Sequence, residues 1–557
     1  VIAVALIAGA AAIALSGGSL RGASVFAAFA IVPGAAMLTA LRIDDTISWL
    51  GLSIALSLMT WSLVSSVALW LHVFNPFAFG AVVLGASTFV LIAHAATTAR
   101  TQRWPIGIFL PNRSLPADRS ARGMLVTLGL VLPLLLGLGL WAGALTTIDL
   151  SKMTDYGLPG VAPPTWFIGI GLIAVSGAVI ASAAGSRGTV CALYVAALAV
   201  VIYATMPLLA EGPHFVWLYK HVGVVRLLDS LGHVQTSADI YNRWPGFFAA
   251  AASFGRFSGI PDPIHYAKWA ELFFISVQLL LVSAIVRRFT RAAGVAALTC
   301  VVFLLTNWVG QVYFAPQSFA YTLGLAAILA ALWQLNANGN GLSRWLLRMM
   351  TGVSRSPSQW APITSGSWSK ASAIAIVIGL DAAIVVSHQL TPYILLIQLG
   401  AMVLFGFIRP WWLIAAMTAL TIAFLIPNVA FVDGNFGLFT SIDPFHNVQH
   451  SAVYDVAPME GFRLSGAAGQ LLSVTMWLSA LIGAIVLART GVAKVALMLG
   501  VFAFSPFALI FGQNYGGEAG LRIILFSAPF CAMLIALALF NFKRSLRAVA
   551  AGTLAAL

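Results

Sequence analysis

Uncharged stretches of about twenty residues recur along the whole of this chain, and each is long enough, as a helix, to cover a hydrocarbon core about 30 Å thick. No other feature restricts the fold as strongly. Inside lipid every backbone N–H and C=O needs a partner within the protein, so such runs form helices; barrel strands would be shorter and would alternate in polarity. Composition agrees. Of 557 residues, 61% are hydrophobic and 8% are charged, against about a quarter charged in a soluble domain. The runs predict an all-α polytopic transmembrane bundle of about seventeen spans. They lie at roughly 1–15, 24–41, 46–73, 77–98, 123–145, 164–186, 189–209, 267–286, 294–313, 317–336, 371–387, 391–408, 411–432, 470–488, 495–511, 522–540 and 548–557. The chain starts at Val1 and stops within an apolar stretch, so both ends are expected to be incomplete. Cys191, Cys300 and Cys531 fall inside spans, where buried free thiols are expected and disulfides are not.

Alternating the spans across a membrane sorts the charges. One face takes Arg42, Arg100, Arg103, Arg113, Arg119, Arg122, Arg187, Arg287, Arg288, Arg291, Arg344, Arg348, Arg355, Lys370, Arg409, Arg489, Lys494, Lys543, Arg544 and Arg547, which is 20 of the 29 basic residues. The positive-inside rule makes that face cytoplasmic. Of the 16 acids, 12 fall on the other face, only Asp44, Asp45 and Asp118 are cytoplasmic, and Asp381 lies within a span. Eight of the nine histidines, all but His94, also lie at or beyond the outer boundary. The net charge of +13 is therefore chiefly an orientation signal and argues against nucleic-acid binding. Cytoplasmic loops 99–122 and 337–370, rich in Arg, Ser, Pro and Gly, read as flexible connectors.

Most polar features cluster after residue 188. This suggests an N-terminal accessory transmembrane bundle, 1–188, and a functional core, 189–557, with outer loops 210–266 and 433–469. Within the first loop Phe215, Leu218, Val222, Val225 and Leu228 recur at helical spacing, while Lys220, His221, Arg226, Asp229 and His233 fall mostly elsewhere on the wheel. Such a helix lies in the membrane interface. The apolar stretch 246–257 is too short to span and reads as a second interfacial helix. Glu518 and Arg522 have i,i+4 spacing, which suits an ion pair at least as well as a ligand site. Asp381 near mid-membrane serves either function or helix–helix hydrogen bonding. His446 and His450 have i,i+4 spacing compatible with metal ligation on a helix, but their loop contains Pro444, a helix there is not assured, and no metal site is expected.

A span ending at Glu211 and followed by His214, an interfacial helix, and the segment Tyr241-Asn-Arg-Trp-Pro245 together resemble the first outer loop of the GT-C superfamily. Its members are polytopic glycosyltransferases that use polyprenyl-phosphate-linked sugars. The Gln311…Pro316-Gln317, Ser387-His388-Gln389-Leu390-Thr391-Pro392 and Tyr515-Gly516-Gly517-Glu518…Arg522 pieces are similar to bacterial and archaeal membrane proteins related to that superfamily. The resemblance covers about 189–557; the superfamily's adjacent acidic pair is absent, so Glu211 stands alone. It implies a GT-C-like core and sugar transfer at the outer face of the plasma membrane, in polysaccharide biosynthesis of the cell envelope. The expected partners are a polyprenyl-phosphate-linked sugar donor, a glycan or lipid acceptor, and membrane lipids.

On this reading Glu211 is the general base, and Asp239 orients the acceptor or a divalent cation. Lys220, Arg243 and Arg522 hold the lipid phosphate. His214, His221, Tyr241, His388, Gln389, Arg463 and Glu518 complete the substrate-binding set, with Glu211, segment 239–245, His388 and Arg522 converging on one pocket. A polysaccharide polymerase or ligase would use similar chemistry. The alternative is a transporter or flippase of an anionic lipid-linked saccharide, which calls for polar groups at mid-membrane.

Overall fold

A computed structural model describes residues 19–556 apart from 42, 44, 102–120, 184–187, 238, 352–367, 437–458 and 513–517. The expected span 1–15, most of loop 99–122, and the residues His446, His450 and Tyr515 lie outside the described residues. The fold is all-helical, with no strand among the described residues. The helices are α1 (Ser19–Leu38), α2 (Thr46–Trp70), α3 (Pro76–Thr101), α4 (Ala121–Leu145), α5 (Pro164–Ala183), α6 (Gly188–Tyr203) and α7 (Val216–Leu231). There follow α8 (Gly246–Ser258), α9 (Ala270–Val286), α10 (Ala293–Thr306), α11 (Pro316–Gln334), α12 (Gly341–Thr351) and α13 (Lys370–Val385). The chain continues through α14 (Thr391–Leu404), α15 (Trp412–Leu425), α16 (Glu460–Arg489), α17 (Ala493–Phe504), α18 (Ala519–Leu539) and α19 (Arg544–Ala556).

Among the described residues nine helices are long and apolar enough to cross a membrane, accompanied by six shorter apolar helices. Most are apolar on every side, as expected where one neighbour is lipid and the other is protein. Helix α11 is the most enclosed and packs against α2, α9, α13 and α14. Helix α2, from the expected accessory bundle, also packs on α8, α9 and α13, so one continuous apolar core runs from Leu38 to Ala551.

Three expectations change. Segment 246–257 does form a helix, α8, but Phe247, Phe248, Ala249, Ala250 and Ala252 are all buried among α1, α2, α3 and α7. Its small residues let backbones approach: a Cβ on Gly246 would lie 2.3 Å from Ser387 Oγ and 2.6 Å from Ser62 Oγ. The expected loop 433–469 is helical at both described ends, since Val429–Phe436 is a helix and α16 begins at Glu460, which puts Arg463 on a helix. Loop 337–370 contains α12, whose Ser343 and Leu347 are buried while Trp345 and Met349 are exposed.

Prolines inside the bundle free the carbonyl four residues upstream, because proline has no N–H to donate. In hydrocarbon that carbonyl needs a substitute donor. Pro33 frees Phe29 O, which accepts from Trp61 Nε1 at 2.8 Å. Pro506 frees Phe502 O, which accepts from Gln398 Nε2 at 3.0 Å. Pro529 frees Leu525 O, which accepts from the Tyr321 hydroxyl at 3.1 Å. Each of these three side chains is buried and comes from a different helix, so each of the three freed carbonyls is satisfied across an interface. Tyr321→Phe is expected to destabilise the detergent-solubilised protein by about 1–2 kcal/mol. The loss should shrink in a Pro529→Ala background, where the substituted residue supplies the missing N–H; equal losses in the two backgrounds would show that the carbonyl is not the partner that matters.

Candidate functional site

Polar side chains gather at the two ends of the bundle. At one end Arg287 pairs with Asp45 at 2.9 Å, and Lys494 donates to Asn338 at 3.4 Å. At the opposite end the chain between α6 and α9 folds over the turns that precede α11, α14 and α18. Helix α7 is amphipathic as expected and stops at Gly232, whose φ of +68° forms a left-handed cap. Its outer face is tied down by ion pairs between Arg226 and Asp262 and, at 2.6 Å, between Arg256 and Asp229. His221, however, lies on the buried face with Leu218, Val222 and Val225.

His221 Nδ1 lies 2.8 Å from the Phe314 carbonyl oxygen. A carbonyl only accepts, so Nδ1 carries the proton and Nε2 presents a lone pair. That Nε2 is buried and has no hydrogen-bond partner among the described residues. Burial pushes the imidazole down to about 4; the nearby Lys220 charge adds to this, while the Phe314 bond and Asp239 oppose it. His221 is therefore neutral at pH 7. Its ring stacks on Tyr313 at 5.7 Å and meets the edge of Tyr241 at 5.1 Å.

Around this imidazole stands a connected network. Gln317 Nε2 donates to the Tyr313 hydroxyl at 2.9 Å and to Gln311 Oε1 at 3.0 Å. Arg522 Nη1 donates to the same Gln311 oxygen at 2.6 Å, and Nη2 is ion-paired with Glu518. Ser318 Oγ holds the turn by donating to the Gln311 and Tyr313 carbonyls, both at 2.7 Å. His388 is buried, and its Nδ1 accepts from the Thr391 N–H at 3.2 Å, which leaves the proton on Nε2. Burial holds its imidazole well below the ordinary histidine range, reinforced by the charge of Arg522. Burial raises the Tyr241 phenol, as do the carboxylates of Glu518 and Asp239. Burial takes Tyr313 up to about 12. From α2, Ser62 supports the His388 turn through a 3.1 Å hydrogen bond to Ser387.

The structure thus brings Lys220, His221, Asp239, Tyr241, His388, Glu518 and Arg522 into one neighbourhood. Asp239 caps the one-turn helix Ile240–Arg243, accepting from Tyr241 N at 2.8 Å and Asn242 N at 3.2 Å, and pairs with Lys220 at 3.4 Å. Both of its oxygens are engaged, and no group of three or more metal-ligating side chains stands together among the described residues. The donor set does not fit the divalent-ion role expected of Asp239. Arg243 is half-buried, donates to Asn428 at 3.2 Å and lies 4.1 Å from the Phe431 ring, with no carboxylate partner among the described residues.

The remaining expected residues lie apart from these contacts. Glu211 is exposed, and among the described residues its carboxylate makes no hydrogen bond or ion pair; Lys268 Nζ donates to the Ala210 carbonyl at 3.0 Å. His214, lowered by burial, sits 3.5 Å from Glu271, a buried acid in the first turn of α9. Glu271 was missed as a site residue because it opens an apolar run and reads as a boundary. Arg463 is exposed on α16, and Gln389 is half-buried in the turn before α14. Asp381 is fully buried in α13, and neither carboxylate oxygen has a partner among the described residues. Two open apolar grooves flank α14, one against α15 and one against Ser505–Phe511.

Fold and site together define an all-helical protein with many apolar, membrane-spanning helices and a buried polar network at one end of the bundle. No family model, curated protein or solved structure matches this chain.

Proposed function

We propose that this chain is a membrane glycosyltransferase with a GT-C-like core. It would move a sugar from a polyprenyl-phosphate-linked donor to a cell-envelope glycan or lipid acceptor at the outer face of the plasma membrane. The observation that carries this reading is the buried, neutral Nε2 of His221, which faces the polar network with no hydrogen-bond partner among the described residues. In the transfer, the acceptor oxygen forms a bond to the anomeric carbon while the carbon–oxygen bond to phosphate breaks. The phosphate leaves with the electron pair, and the acceptor's proton passes to a base. His221 Nε2 suits that role better than exposed Glu211. Arg243, with no carboxylate partner among the described residues, is the cation best placed to stabilise the departing phosphate, because Lys220 and Arg522 are already neutralised. Tyr241 and the exposed Trp217 offer ring faces for sugar. The apolar groove between α14 and Ser505–Phe511 would receive the prenyl chain.

The test is transfer of labelled sugar from a panel of polyprenyl-phosphate donors by the purified chain. Transfer from at least one donor is expected; no transfer from any, combined with donor translocation across vesicles, would establish the flippase instead. Asp381 is the feature that favours that second reading, since it has no partner among the described residues and a buried carboxylate left so is costly and commonly functional. Sidedness has its own measurement. A cysteine at Arg463 is expected to react with an impermeant thiol reagent in intact cells, and one at Trp345 to stay unlabelled. The reverse pattern would turn the bundle over.

A further inference from the structure

We infer a binding site for an anionic phospholipid at the basic end of the bundle, away from the polar network. The groove between α14 and α15 measures about 650 Å³ and is lined by Gly400, Leu404, Trp411, Ile414, Ala415 and Ile422, among others. It is apolar and open, and that size is ordinary for a ligand cleft. The space beside Gly400 is open: a Cβ there would meet only Ile414 among the described residues, at 3.9 Å. The second groove, assigned above to the prenyl chain, lies on the other side of α14 and shares Gly400 and Leu404 with it.

Cations gather where this groove reaches the basic end. The chain after α11 runs beside the chain after α14: Ala337 N donates to Phe407 O at 2.7 Å and Gly339 N to Gly406 O at 3.0 Å. Arg409 N donates to Leu335 O at 2.9 Å, and the Asn340 side chain donates to Leu404 O at 2.7 Å. This corner places the start of α12 next to the groove-lining Leu404. Arg344, Arg348 and Arg409 are all exposed there, and none has a carboxylate partner among the described residues. Trp411, Trp412 and Trp345 are exposed as well, as interfacial anchors are. An apolar trough leading to arginines without carboxylate partners at the interface matches a lipid with a negative headgroup. A free phosphate would use the cations and leave the trough unexplained.

Native mass spectrometry of the full chain, titrated separately with phosphatidylglycerol and phosphatidylcholine, tests the assignment. The wild type is expected to retain phosphatidylglycerol preferentially. The combined R344Q, R348Q and R409Q variant should lose that preference by about fivefold per arginine, with phosphatidylcholine retention unchanged. Each arginine is exposed, so the single variants fold and should show the same trend in smaller steps. Gly400→Leu, which fills the trough, should lower retention of both lipids. Equal retention of the two lipids by the wild type, or an undiminished preference in the triple variant, would refute the site. Displacement of phosphatidylglycerol by inorganic phosphate alone would also refute it.

Discussion

His221→Asn is expected to abolish most sugar transfer while leaving the fold in place. The asparagine amide reaches the position of Nδ1 and can still donate to the Phe314 carbonyl, but nothing remains where Nε2 stood. Loss of a general base typically costs about 10²–10⁴-fold in rate. Donor binding should persist, because Arg243 and the groove are untouched. The same variant carries a stability signature that needs no substrate. The folded imidazole titrates at about 4 against an ordinary value of 6.5. A depressed histidine pKa means that the unfolded chain binds the proton first as pH falls below 6.5. His221 therefore contributes fully above that pH, and its contribution declines as pH drops toward 4. Such a shift corresponds to a few kcal/mol, on the order of 3. Wild-type melting temperature should fall more steeply than that of His221→Asn across this window. Parallel curves would show that the ring is not held neutral, and full transfer activity in His221→Asn would remove it from the mechanism.

Arg522→Met is expected to destabilise the protein by about 3 kcal/mol, because it strands Glu518 and leaves the buried Gln311 oxygen without its charged donor. Glu518→Gln should cost less, about 1–2 kcal/mol: it removes the counter-charge of the buried Arg522, but the glutamine oxygen can still accept from Nη2 and Arg522 keeps its bond to Gln311. Thermal unfolding of the purified variants measures both. Similar losses in the two variants would mean that the ion pair itself, rather than the buried arginine–glutamine bond, holds the turn before α18 in place.

Much of the architecture was legible because hydrophobic runs and charge bias are local signals. The helical character, the amphipathic helix after Phe215 and the Glu518–Arg522 pair all follow from spacings of a few residues. Helix α12 escaped because its Arg-rich composition resembles that of a connector, although Ser343 and Leu347 recur at the spacing that buries one face. Helix α8 was recognised as a helix but assigned to the wrong surroundings. Its alanines and phenylalanines suit an interface as well as a core, and only the close approach at Gly246 distinguishes them.

Local sequence was enough to establish a helical bundle in lipid, since no other fold satisfies the backbone of so many uncharged runs. It was also enough to concentrate the acids and histidines in the loops at one end. Which of them act together depended on long-range packing alone. Arg522 meets Gln311 across 211 residues of chain, and Ser62 supports the His388 turn through a bond to Ser387 that spans 325. The proton on His221 is placed by a carbonyl 93 residues away. Contacts of that range leave no periodic trace, because each depends on one side chain arriving from a separate helix, and that arrival is set by the packing of the whole bundle.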